Sequence, residues 1–238
     1  MTTSREHTVE QSGPVLFEAT TVAAHLTIIV EDRPAALVTV STPAASGPTA
    51  DAVRYATFEG GPGFVSVLLW EPTAGLGSTV INRGGVTIIQ TGSTVVGTVI
   101  GSLNVIDGGM VIGAVRGVGV PISIEARLPL GSSLACETTS GNVGTRGDLV
   151  DVDAVTVSGD IRIDTVRLPH LRTTSGGIRI AQLNGIQATA RTVSGDIDIH
   201  TVTPAATVQV RSVSGDIRVT GPDIDLNAQT VSGRVTTR

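Results

Sequence analysis

The octet Thr156-Val-Ser-Gly-Asp-Ile-Arg-Ile163 decides the fold, because it recurs. Related octets are TTSGNVGT (138–145), TTSGGIRI (173–180), TVSGDIDI (192–199), SVSGDIRV (212–219) and TVSGRVTT (230–237). Their serines, Ser140, Ser158, Ser175, Ser194, Ser214 and Ser232, are spaced by 18, 17, 19, 20 and 18 residues. A period near 18 is too short for a helical-hairpin repeat and too regular for a β-sandwich. It matches one coil of a β-solenoid, in which each repeat pairs with its neighbours.

Within one coil, Ile161 and Ile163 alternate with Asp160 and Arg162, so one face is apolar and the other charged. The same alternation holds for Ile178 and Ile180, Ile197 and Ile199, and Ile217 and Val219, and it predicts a buried column. Gly141, Gly159, Gly176, Gly195, Gly215 and Gly233 follow the serines, where the inward parity breaks. Each Ser-Gly pair therefore reads as a corner or bulge between two strands. A second strand fills each coil, as in Ala206-Thr-Val-Gln-Val210 and Ile224-Asp-Leu-Asn-Ala228. Six coils at ~4.8 Å each predict a stack of about 29 Å.

Composition agrees. Of 238 residues, 33 are Val, 32 Thr and 19 Ile, types that fit a pleated sheet better than a helix. A net charge of −5 and 40% hydrophobic residues exclude a disordered chain. All 16 positive charges are Arg, which suggests a high-GC genome such as that of an actinobacterium or its phage. These arginines are scattered along the chain and form no basic run, so nucleic acid is not expected as a partner. The lone Cys136 allows no disulfide within the chain. No leader-like or membrane-spanning run is present, so a cytoplasmic or virion location without Sec export or membrane insertion is expected.

Upstream, the domain plan is a flexible tail over 1–14, an N-terminal antiparallel β cap over 15–72, and a Gly-rich short-strand segment over 73–118. The solenoid with its six Ser-Gly repeats then occupies 119–238. The expected cap strands are Ala24–Val30, Ala36–Val40, Val53–Phe58 and Phe64–Trp70, in a region holding most of the few aromatic side chains. Within 73–118, runs such as Val86-Thr-Ile-Ile-Gln-Thr91 are uncharged and strongly β-prone, which predicts paired strands.

The stretch Gly119-Val-Pro-Ile-Ser-Ile-Glu-Ala-Arg-Leu-Pro-Leu-Gly-Ser-Ser-Leu134, followed by the TTSG and TVSGD octets, resembles the bacterial putative-adhesin β-strand-repeat family. Asp51-Ala-Val-Arg-Tyr-Ala-Thr-Phe-Glu-Gly60, leading into Phe64–Pro72, is similar to that family's N-terminal strands. The resemblance covers roughly residues 15–72 and 119–238. It implies a right-handed β-solenoid-like fold with no established enzymatic activity. Because the first residues, MTTSREHTVEQSG, do not read as a signal sequence, the chain is expected to depart from the secreted members.

The residues point away from catalysis. Six near-identical serines read as structural corners, and a nucleophile needs a base within reach, whereas His7, His25, His170 and His200 are isolated in sequence. Asp160, Asp196 and Asp216 share one octet position and could line up as oxygen ligands for Ca²⁺. They do not match the GGxGxD calcium repeat, so a solvated charge ladder is the expected reading. No catalytic, cofactor or metal residue is assigned. Cys136 reads as a small buried hydrophobe.

The expected function is a non-enzymatic structural or interaction protein presenting a flat repetitive surface. Its expected partners are itself, another protein or a surface glycan. The last octet, TVSGRVTT (230–237), would leave an unpaired edge suited to homo-oligomer assembly. The alternatives are a phage tail or capsid-surface component, and a glycan-binding or glycan-cleaving β-helix.

Overall fold

The computed structural model describes residues 2–69, 78–83, 86–91, 94–95, 121–201 and 203–238. Before the first gap lie β1 (Thr3–Ser12), β2 (Leu16–Thr21), β3 (His25–Glu31), β4 (Ala35–Thr42), α1 (Pro48–Arg54), β5 (Thr57–Gly61) and β6 (Phe64–Leu68). Next come β7 (Ser78–Arg83), β8 (Val86–Thr91) and β9 (Thr94–Val95), which pair antiparallel in a sheet of their own. The rest of 73–118 lies outside the described residues.

The C-terminal half opens with β10 (Ser123–Pro129), β11 (Ser133–Ser140), β12 (Val143–Arg146), β13 (Asp148–Ser158) and β14 (Ile161–Ser175). It continues through β15 (Ile178–Leu183), β16 (Gln187–Arg191), β17 (Ile197–Thr201) and β18 (Thr207–Ser214). It closes with β19 (Ile217–Thr220), β20 (Asp225–Ser232) and β21 (Val235–Thr237). The fold is all-β and β-solenoid-like.

Two parallel ladders make the stack. The first, from strands ahead of each corner, runs β6, β2, β11, β13, the second half of β14, β16, β18, β20. The second, from strands after each corner, runs β10, β3, β12, the first half of β14, β15, β17, β19, β21. Period-two alternation puts every second side chain of each ladder into the space between them. Ile161, Ile178, Ile197 and Ile217 stand in one vertical register, and Ile163, Ile180, Ile199 and Val219 in the next. None of the eight is more than 2% exposed. From the first ladder they meet smaller residues, among them Ala154, Ala188, Ala190, Val208 and Val210, all buried.

The corners stack as directly as the core. Ser140, Ser158, Ser175, Ser194, Ser214 and Ser232 occupy successive registers of one column. Each following glycine lies against the carbonyl of its counterpart one coil back. A Cβ built on Gly159, Gly176, Gly195, Gly215 or Gly233 would collide with the carbonyl oxygen of Gly141, Gly159, Gly176, Gly195 or Gly215 respectively. Gly195 and Gly215 also sit at φ 148° and 145°, which disfavours any L side chain.

Three upstream expectations are corrected. Residues 3–12, expected within a flexible tail, form β1, paired antiparallel with β4. It is held because Arg5 donates to the carbonyls of Arg54 and Ala56 and lies over the Phe58 ring, while His7 stacks on Phe58 at 5.3 Å. The expected strand Val53–Phe58 is instead the end of α1 followed by β5, the helix having Pro at its start and Asp51 in its first turn.

The third correction concerns the antiparallel layer. Antiparallel pairing holds for β1 with β4, β4 with β10, and β5 with β6. However, β2 and β3 join the stack in parallel, β2 between β6 and β11 and β3 between β10 and β12. The turn joining them belongs to a seventh octet, Thr21-Val-Ala-Ala-His-Leu-Thr-Ile28, with Thr21 opposite Thr138 and Leu26 opposite Val143. Ala-Ala replaces Ser-Gly there. The strands beneath, β6 and β10, are not consecutive in the chain and are not joined by a glycine corner of that kind.

The corner geometry predicts a sharp position dependence. Gly195→Ala should cost about 3 kcal/mol or more, because both the clash and the positive φ must be relieved through backbone movement. Gly177→Ala, where an added Cβ meets nothing closer than 3.5 Å, should leave the chemical-denaturation midpoint nearly unchanged.

Candidate functional site

The octet's polar groups are engaged in holding coil to coil. Its first residue is buried in the first five octets and half-buried at Thr230, and from the third Ser-Gly coil onward its hydroxyl donates to the corner glycine of the coil before. Thr173 donates to Gly159 O (3.3 Å), Thr192 to Gly176 O (3.2 Å), Ser212 to Gly195 O (3.2 Å) and Thr230 to Gly215 O (3.1 Å). After the corner comes a second ladder of bonds. The Asn142 side chain accepts from Asp160 N–H (2.9 Å), Asp160 from Gly177 N–H (2.8 Å), Asp196 from Asp216 N–H (2.7 Å) and Asp216 from Arg234 N–H (2.8 Å). His25 Nδ1 begins the series by accepting from Asn142 N–H at 3.1 Å.

The three aspartates weighed as ion ligands thus each have one carboxylate oxygen on a backbone N–H of the next coil. Among the described residues, no three His, Cys, Asp or Glu side chains gather in a group able to hold a metal ion. The six corner serines are exposed, and none bonds to a histidine among the described residues. Of the histidines, His7 is against Phe58 and His25 is in the bond series. His170 is opposite Asp153 and Thr189 on the first ladder, and His200 opposite Thr220 on the second.

Cys136 faces the interior from β11 and is 6% exposed. Burial, and secondarily the charge of Asp153, pushes its thiol up to about 12, so at neutral pH it is a protonated apolar filler. The Arg127 guanidinium is pushed above its ordinary value by its hydrogen bond to Glu125, by the charge of Glu125, and then by Glu31.

The outer faces of the two ladders differ in how charge is arranged. On the second ladder and its flanking corner opposite charges are paired within the chain: Arg162 with Asp160 (2.7 Å), Arg179 with Asp198 (4.0 Å), Arg167 with Asp148 (3.0 Å). On the first ladder they are segregated. Glu18 on β2, Glu137 on β11, and Asp151 and Asp153 on β13 make one half acidic, with Glu59 of β5 beyond them. Arg172 on β14, Arg191 on β16 and Arg211 on β18 stand opposite one another in register, fully basic. Among the described residues, Arg172, Arg191, Arg211, Glu18, Glu137 and Asp153 have no ion-pair partner. Beside them runs a column of Val157, Thr174, Val193 and Val213, its valines each 48–50% exposed.

Along the chain these arginines are scattered, 19 and 20 residues apart. The available signal was their shared place, one residue before each octet, in Arg172-Thr-Thr-Ser, Arg191-Thr-Val-Ser and Arg211-Ser-Val-Ser. A 19-residue separation is one coil, or about 4.8 Å in space.

Comparison with known proteins agrees with the architecture. A family model described as Toastrack DUF4097 matches residues 122–238, from the start of β10 through the last coil. The crystal structure of a putative adhesin from Bacteroides fragilis aligns over 100% of this chain and 97% of its own, with a TM-score of 0.55 at 10% identity. The two share a fold. A putative adhesin from Parabacteroides distasonis aligns over 100% and 97% of the two chains at TM-score 0.47 and 11% identity. A putative cell adhesion protein from Clostridium sporogenes aligns over 100% and 99% at TM-score 0.44 and 8% identity. No curated protein matches the chain.

Two outcomes follow from the side-chain series. It is interrupted at Gly177, which offers no acceptor to Asp196 N–H although a Cβ fits there. Gly177→Asn should supply that acceptor and raise stability by about 1 kcal/mol, read as an increased denaturation midpoint. The second outcome concerns Cys136. Its raised folded value means stability is fully present below the ordinary thiol value near 9 and is lost as pH climbs toward about 12. Thermal melts across that window should fall more steeply for the wild type than for Cys136→Ala.

Proposed function

We propose that this chain is a non-enzymatic, adhesin-like interaction module that works through the flat outer faces of its stack. The observation carrying this reading is the engagement of the octet itself. The hydroxyls of Thr173, Thr192, Ser212 and Thr230 and the carboxylates of Asp160, Asp196 and Asp216 serve as coil-to-coil hydrogen bonds, while the Thr138 and Thr156 hydroxyls are buried. The serines repeat one exposed corner environment without a bonded base, whereas a nucleophile requires one. The adhesin names of proteins sharing the fold support the same reading. The antiparallel strands β1, β4 and β5 serve as the cap that stacked repeats require at an end.

The test is a turnover assay on the full chain with a panel of acidic and neutral polysaccharides and aryl esters. No product above the blank is expected. Turnover that disappears in Ser158→Ala or Ser194→Ala, with folding intact, would overturn the reading.

A further inference from the structure

The outer face of the first ladder carries three consecutive acidic coils followed by three consecutive basic coils. In stacking order, β2, β11 and β13 bring Glu18, Glu137 and Asp153, and β14, β16 and β18 bring Arg172, Arg191 and Arg211. Like charges on directly adjacent strands repel, and three exposed arginines about 4.8 Å apart are unfavourable in the free chain. On the other ladder Arg162 and Arg179, also on adjacent strands, are each offset by an internal ion pair. Here there are none among the described residues, and the change of sign falls at the middle of the six strands.

We propose that this face is a docking surface for a second copy of the chain, the two faces opposed and their stacking directions reversed. This rests on the reading of the protein as an interaction module and names its partner. A two-fold axis in the interface, parallel to the strands and between β13 and β14, puts β13 over β14 of the other copy. It likewise puts β11 over β16 and β2 over β18. Glu137 then faces Arg191 of the second copy in the same column of the ladder. Asp153 comes beside Arg172, and Glu18 beside Arg211. Symmetry makes each pairing twice. The half-exposed Val157, Val193 and Val213 lie in the contact beside the charges, with Thr174 between Val157 and Val193, and add some apolar area.

The dimensions are sufficient. Six strands at ~4.8 Å and about seven residues per strand give a face of roughly 29 Å by 23 Å. That buries about 1,300 Å² over both copies, at the lower end of stable interfaces. A free polyanion fits less well. It would be drawn to the three arginines but repelled by the acidic coils that continue the same surface, whereas a second copy satisfies both halves at once.

The experiment is sedimentation velocity on the full chain, from low micromolar to on the order of 100 μM, with three variants. All alter exposed residues outside the core. Wild type is expected to move toward twice the 24.2 kDa chain mass, and to revert when salt is raised to ~1 M, where screening is strong. Arg191→Glu and Glu137→Arg should each weaken association at least about tenfold, because each creates two like-charge contacts. The double variant E137R/R191E should restore it. Wild type that stays monomeric, or a dimer indifferent to the single variants or not rescued by the double, overturns the proposal. So does monomeric wild type retained on a heparin column through Arg172, Arg191 and Arg211, which would assign the face to a polyanion. None of these outcomes touches the non-enzymatic reading, which falls only on turnover.

Discussion

A coil repeat of about 4.8 Å leaves no space for a Cβ between one corner and the carbonyl of the corner before it. That single exclusion organises the stack. Because Gly159, Gly176, Gly195, Gly215 and Gly233 accept the close approach, every chain reversal occurs at the same height and in the same column. The isoleucines two and four residues later are then forced into vertical register, and so are the hydroxyl that caps the glycine carbonyl and the carboxylate that caps the next N–H. The octet is therefore one structural unit in which each position answers a need created by its neighbour above or below. Few of its groups remain free for other chemistry.

The same stacking turns a sequence period into a surface. Residues nearly twenty positions apart become nearest neighbours, so the outward positions of the octet and its flanks form straight columns of side chains. On one ladder the columns mix signs and neutralise themselves. On the other, from β2 to β18, they sort by sign along the axis, before Asp225 on β20. Composition alone is blind to this, because a net charge of −5 describes both faces equally well.

What was legible in the sequence followed from how strictly the stack constrains it. The six octets, the eight core aliphatics and the corners at Ser-Gly could be read because steric exclusion permits so little variation there. The seventh octet was hidden because Ala23-Ala24 stands where the other octets carry Ser-Gly, which leaves only Thr21, Leu26 and Ile28 as traces of the pattern. β1 was hidden because its order comes from contacts of Arg5 and His7 with residues some fifty positions away, which no local pattern reveals. The arginine column was missed for a different reason. Its members are visible in the sequence, but separation along a chain does not measure separation in space once coils stack.

The position of β2 and β3 bears on how the molecule is assembled. The coil they form is wedged between β6 and β10 on one side and β11 and β12 on the other, and those last strands follow it by over a hundred residues. A chain emerging vectorially from the ribosome cannot bury Phe17, Leu26 and Ile28 until residue 146 has been made. Closing so long a loop raises contact order and slows folding. Once closed, the coil of β2 and β3 acts as a rivet: the repeat array downstream cannot part from β6 and β10 without expelling that coil from between them.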